Sequence, residues 1–294
     1  MKTTFRHYNP EPLFGHDYEL IRKFLVDIDN FNYPYGRFDW MLTHGYLDQS
    51  GLNKIGLWEI RDTLVGLATY DCQLGKAYLL TRPGFEKLKE DMLIQASTDL
   101  KSSDGFEVLI QDGDLHFQDI ASKLGYNATQ EKEQDSILPL EDANLDYVLP
   151  DGFSITSMKD RFDLYQYGRV LWKGFNHEAN GQGPFILENS KNGPEGFLRP
   201  NVNLDLKIAV VSANGNFVSY CGMWADEHST SALVEPVATD PDFRKLGLGR
   251  ACVLEACKRV KALGMTNAFV GSSQQFYYSI GFRPYASSTW WKQQ

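Results

Sequence analysis

The sequence predicts an α/β (α+β) chain of two tandem domains, each a mixed, mostly antiparallel sheet flanked by helices. Three observations lead there. Short apolar segments of strand length alternate with stretches of helical spacing along the whole chain. Their order occurs twice, once in each half. The length of 294 residues, with 43% hydrophobic and 23% charged residues, suits two folded domains of ordinary size. The expected division is 1–148 and 149–294, with Pro150-Asp151-Gly152 at the boundary and the polar stretch 141–146 as a linker.

In the second half, 153–156 alternates as a short strand. Apolar Phe162, Leu164, Val170 and Leu171 then mark a helix within 160–175, broken by Asn180-Gly181-Gln182-Gly183-Pro184. Strands are expected at 206–212, 217–225 and 232–239, the first two joined through Asn214-Gly215, a preferred hairpin pair. A helix follows at 247–263, with Leu248, Cys252, Val253, Ala256, Val260 and Leu263 as its apolar stripe and Gly264 past its end. A strand at 267–270, a short helix at 274–280 and a last strand at 288–291 complete the half. The first half repeats this order with strands at 55–60, 63–70 and 77–81, a helix after Pro83, and a strand at 106–110. Two local matches fix the register. Thr81-Arg82-Pro83-Gly84-Phe85 corresponds to Thr239-Asp240-Pro241-Asp242-Phe243, and Lys123-Leu124-Gly125-Tyr126 to Ser279-Ile280-Gly281-Phe282.

A formal net charge of -9 argues against a general nucleic-acid binder. The N-terminal residues lack the apolar core of a signal peptide, and the longest apolar runs, such as Ile208-Ala209-Val210-Val211, are too short to span a bilayer. A cytoplasmic protein is the expectation. Cys72, Cys221, Cys252 and Cys257 have no zinc-ligand spacing and read as buried free thiols, so no metal is expected.

The chemistry concentrates at 237–250. A strand ends at Thr239, Pro241 stiffens the turn, and Arg244-Lys245-Leu246-Gly247-Leu248-Gly249-Arg250 opens a helix. A helix start offers free N–H groups and a positive dipole end, which suit a phosphate. Glycines at 247 and 249 let an anion approach the backbone, and the three basic residues add local positive charge. Gly-x-Gly-x-x-Gly is absent, because its third glycine falls on Cys252, and so is the nucleoside-triphosphate loop.

The pattern Val237-Ala238-Thr239-x-Pro241-x-Phe243-Arg244-x-x-Gly247-x-Gly249, followed by Phe276-Tyr277-x-x-x-Gly281-Phe282, resembles the signatures of the GNAT acetyltransferase superfamily. The motifs cover roughly 206–290. The resemblance implies acetyl-CoA as co-substrate. Val237, Ala238 and Thr239 would pair with the pantetheine arm, and Arg244 to Arg250 would wrap the pyrophosphate. Ser272 falls among the implied cofactor contacts. Tyr277 matches the general acid that protonates the departing thiolate, with Tyr278 its competitor one residue off in register. Glu235, two residues before Val237, is the candidate general base, and His177-Glu178 its rival. Trp172, Phe175, His177, Glu178 and Phe185 lie where such proteins shape the acceptor site.

In the same register the first half reads Glu86-Lys87-Leu88-Lys89-Glu90-Asp91, with carboxylates where phosphates would sit, and Ala121 at the tyrosine position. The expectation is a degenerate, non-catalytic first domain. The expected function is transfer of the acetyl group from acetyl-CoA to the amine of a small molecule or peptide, by a monomer or homodimer needing no nucleic acid or membrane. The alternative is a non-catalytic acyl-CoA-binding or sensory module. A transferase using charged tRNA is disfavoured by the net charge and the intact loop.

Overall fold

The computed structural model describes residues 2–30, 32–189 and 194–293. Its contacts divide the chain into two units. The first is Met1–Ser136 with Gly271–Ser273 and Pro284–Gln294; the second is Ile137–Val270 with Gln274–Arg283.

The first unit begins with β1 (Thr4–His7), α1 (His16–Ile28) and α2 (Tyr35–Thr43). Strands β2 (Gly56–Ile60), β3 (Thr63–Tyr70) and β4 (Lys76–Thr81) follow, then α3 (Lys89–Asp99), β5 (Glu107–Gln111), α4 (Leu115–Lys123) and β6 (Tyr126–Pro139). Strands β1 to β4 pair antiparallel and β4–β5 parallel. The last strand of the chain, β12 (Arg283–Gln293), then lies antiparallel to β5, with Trp290 opposite Leu109, and β6 flanks it. Trp290 joins Phe24, Tyr33, Phe38 and Tyr70 in this unit's core.

The second unit takes the order β11-β10-β9-β8-β7, with the end of β6 beside β11. In chain order these are β7 (Phe153–Ser157), α5 (Leu164–Gly174), β8 (Lys207–Ser212), β9 (Phe217–Trp224), β10 (Ser231–Thr239), α6 (Leu248–Ala262), β11 (Asn267–Val270) and α7 (Gln275–Ser279). Alternation along β8 assigns the two layers. Ile208 and Val210 pack in a core with Cys252, Val253, Ala256 and Val260 of α6, whereas Ala209 and Val211 pack with Val170 of α5.

The repeat read from sequence is present in space. Gly125 and Gly281, each just after a short helix, hold φ of 84° and 107° and lead into β6 and β12. Three points differ from the expectation. β6 is a 14-residue strand reaching to the edge of the supposed linker, and only its last three residues belong to the second unit. Its first ten residues are mostly exposed and polar, so no apolar alternation announced it; β12 likewise extends well beyond 288–291. Leu263, assigned to the buried stripe of α6, is 55% exposed, because the helix has already ended at Ala262.

Candidate active site

The site is built where β10 leaves its neighbour. β10 pairs with β11 only at 231–233, in parallel, while it stays bonded to β9 as far as Thr239. One backbone edge of Val237, Ala238 and Thr239 is therefore open, as strand-like recognition of an extended ligand requires. The departure coincides with a bulge: Val234 faces Met223, yet Val237 already faces Cys221, so Glu235 and Pro236 together oppose Gly222. Proline has no N–H to give the ladder, which is why β10 breaks register there.

Past Thr239 the chain turns on a buried Asp240. Its backbone N–H donates to the Val218 carbonyl, and its carboxylate accepts from the Asp242 N–H at 3.2 Å. Two cations of α5 converge on the same carboxylate, Arg169 at 3.0 Å and Lys173 at 2.8 Å. Helix α5 is thereby fixed against the exit of β10, and the contact is close. A Cβ on Gly174 would lie 2.7 Å from that of Ala238.

The turn into α6 has two left-handed residues, Lys245 at φ 66° and Gly247 at φ 78°. No side chain caps the first turn of α6, so its N–H groups face the space in front of the loop. The two glycines differ in purpose. Gly247 meets nothing within 4 Å and supplies the left-handed turn, whereas a Cβ on Gly249 would come 2.9 Å from Thr239 Oγ1. Gly249 therefore serves packing of α6 on β10 as well as openness. Arg244 is already engaged, donating to the carbonyls of Thr239 (3.3 Å) and Gly174 (2.8 Å) and to Asn176 Oδ1 (3.2 Å). Arg250 reaches the Ser279 carbonyl at 3.3 Å.

These elements enclose a pocket of about 790 Å³. Of the candidate residues, Val237, Ala238, Thr239, Arg244, Lys245, Gly247, Leu248, Gly249, Arg250 and Tyr277 all line it. Leu246, Ser272 and Glu235 do not. Leu246 projects outward at 45% exposure, and Ser272 falls in the first unit, its carbonyl accepting from Ser136 Oγ. Phe276 of the second motif and Phe175 of the acceptor-site candidates also line it, and Gly174, Asn176 and Gln274 are walls that no motif announced.

Tyr277 is buried on α7, while Tyr278 is half-buried and outside the lining. Burial, then the nearby Cys221 thiol and Glu235 carboxylate, push the Tyr277 phenol well above the usual range, so it stays protonated at physiological pH. Glu235 also raises Tyr167 of α5, behind that residue's own burial. The Glu235 carboxylate thus acts electrostatically on a phenol of each layer. His177 is committed locally: Nδ1 is 2.9 Å from Gln182 Oε1 and the ring stacks on Trp172 at 4.3 Å. Phe185 packs near Trp172 and Tyr165.

The first unit has no such loop. The turn after β4 has a left-handed residue at Gly84 (φ 89°) but runs on through Phe85 at φ -114° and Leu88 at φ -70°, with no positive φ at Lys87 or Lys89, the positions of Lys245 and Gly247. The Glu86 carboxylate accepts from the Gly84 N–H at 2.9 Å, and backbone N–H groups hold its pKa below the ordinary value. Lys89 pairs with Asp114. Ala121 is buried in the core.

A family model described as an acetyltransferase (GNAT) domain matches residues 205–284, the stretch that holds β10, the loop, α6 and Tyr277. That stretch of the second unit is similar to a GNAT acetyltransferase domain. The UPF0039 protein C11D3.02c of Schizosaccharomyces pombe is 34% identical over 88 residues, which is 27% of this chain and 58% of that protein. Among solved structures, a GCN5-related N-acetyltransferase from Sphaerobacter thermophilus superposes with a TM-score of 0.61 at 12% identity, covering 98% of this chain and 94% of the other. A tandem GNAT protein from the clavulanic acid biosynthesis pathway gives 0.59 at 11% identity, covering 99% and 98%. Saccharomyces cerevisiae N-myristoyltransferase, solved with bound myristoyl-CoA, gives 0.57 at 13% identity, covering 99% and 80%. Identities this low establish a shared fold, here a tandem GNAT fold over nearly the whole chain. Among the described residues no cluster could hold a metal ion, and no helix is long and apolar enough to cross a membrane.

Proposed function

We propose that the protein transfers the acetyl group of acetyl-CoA to the amine of a small molecule or peptide, using only the second unit's centre. The observation that carries this reading is one pocket lined by the open edge of β10, the uncapped start of α6 and the Tyr277 ring. Its size falls within the range of small-molecule sites. Val237 to Thr239 offer backbone partners to the pantetheine amides, and the N–H groups of residues 247–250 with Lys245 and Arg250 take the pyrophosphate. Arg244 in its observed pose braces the loop against α5 and contributes charge beside the phosphates.

Glu235 takes the proton of the acceptor ammonium, directly or through water, and the neutral amine attacks the thioester carbonyl. As the tetrahedral intermediate collapses, the Tyr277 hydroxyl donates to the departing sulfur. A phenol at or above its reference pKa of about 10 is a weaker acid than a thiol at about 8.5, so complete transfer is uphill. The hydroxyl acts mainly by hydrogen-bonding the developing thiolate, which requires it to be held at the sulfur.

In the first unit Lys87 and Lys89 replace the left-handed Lys245 and Gly247 without positive φ, and carboxylates stand at 86, 90 and 91, so the proposal includes a silent first unit. Thiol release from acetyl-CoA against amino acids, aminoglycosides, polyamines and peptide N-termini tests the proposal. Turnover with at least one amine is expected. Binding of acetyl-CoA with no turnover in any class would move the assignment to a non-catalytic acyl-CoA-binding module.

A further inference from the structure

We propose that Trp224, at the end of β9, is the positioning residue for Glu235; the proposal rests on the reading of Glu235 as base. The bulge turns the Glu235 carbonyl out of the β10 ladder and across β9. There it lies so close to Gly222 that a Cβ at 222 would stand 2.4 Å from the oxygen. A carbonyl displaced from its ladder still requires a donor. It finds the Trp224 indole N–H, at 2.9 Å. Gly222 and Trp224 are two residues apart on one strand and so present to the same face, one giving clearance and the other the bond.

The indole is itself fixed. Trp224 is buried, and the Lys207 ammonium, also buried, sits 3.4 Å from the ring centroid while donating to the Met223 carbonyl at 3.0 Å. A cation on that face holds the ring in one plane, with its N–H directed at the bulge. Pro236 stiffens the following residue, so the Glu235 carbonyl is the point about which the Glu235 carboxylate is aimed. Trp224 touches neither cofactor nor acceptor in this scheme. It acts through the carbonyl of the residue that takes the proton.

The test is a double-mutant cycle with Trp224→Phe, which keeps a ring and removes the donor, and Glu235→Gln. Thiol release at saturating acetyl-CoA, with the best acceptor of the amine panel, gives kcat; calorimetry gives acetyl-CoA affinity. Trp224→Phe should lower kcat about tenfold and leave the affinity within about twofold, as expected for displacement of an acid–base group. In the Glu235→Gln background it should cause no further loss. Losses that multiply, a wild-type kcat, or an effect confined to acetyl-CoA affinity would overturn the role of Trp224. A wild-type kcat in Glu235→Gln alone would instead overturn the base itself, and Trp224's role with it. If Trp224→Phe does not fold, the indole proton decides. It should exchange slowly in the native chain and quickly in Gly222→Ala, with a parallel fall in kcat. Equal exchange in the two proteins would refute the bond.

Discussion

At the scale of single residues, each side chain of the site is distinguished by what its backbone position permits. Tyr277 and Tyr278 are neighbours in sequence, but one turn of α7 buries the first in the pocket and leaves the second outside it. Tyr277→Phe should reduce turnover ~10²-fold with little change in acetyl-CoA affinity; the same loss from Tyr278→Phe instead would contradict the assignment. Because the Tyr277 pKa is raised, its deprotonation should not set an alkaline limit to the rate below about pH 10. The motif glycines were legible in sequence, yet their division of labour was not. Spacing cannot report that Gly249 faces Thr239 while Gly247 faces open space. Asp240 was not legible for a related reason, since nothing local marks a carboxylate whose two cations lie on a helix about 70 residues away.

Elements are held to one another by a few charged joints and by strand register. Asp240 is fully buried, while Arg169 and Lys173 are 18% and 15% exposed, so removing the carboxylate leaves Arg169 without its ion pair and Lys173 with only the exposed Asp242, at 2.7 Å. Asp240→Ala should destabilise the protein by ~3 kcal/mol, as for other broken buried pairs, and weaken acetyl-CoA binding by loosening α5 from β10. Chemical denaturation and calorimetry measure the two effects. In the first unit, β6 carries Glu133 and Asp135 two residues apart, and burial together with the Glu133 charge pushes Asp135 up to about 7. Its folded pKa exceeds the unfolded value near 4. The protonated carboxyl therefore favours folding at low pH, and that contribution is lost between about pH 4 and 7. Asp135→Asn should leave stability unchanged near pH 4 and raise it by at least ~1 kcal/mol at pH 8. Equal effects at both values would disprove the shift. The sheets were legible wherever one face is apolar, as in β8 and β10. The bulge at Glu235-Pro236 has a signal in the sequence, a proline within a strand with a glycine in the neighbouring one. The polar half of β6 had none.

For the whole molecule, the repeat read from two short matches corresponds to two folded units, of which the second carries the proposed cofactor loop. The unit boundary could not be seen in the sequence, because the closing strand of the first unit comes from the far end of the chain. Trp290 is 1% exposed in the first unit's core, and β12 pairs with β5 over five residues, Ser288 to Lys292. Deleting 284–294 should therefore unfold the first unit, exposing β2 to β5 to rapid hydrogen exchange. Native protection of these strands in the truncated chain would contradict that architecture. The central claim, one acyl-CoA site per chain and that site at Arg244 to Arg250, is tested most directly by calorimetric titration with acetyl-CoA. One site per chain is expected in the native protein and in Glu86→Ala, with binding abolished in Gly247→Glu at unchanged fold. Two sites per chain, or undiminished affinity in Gly247→Glu, would contradict it.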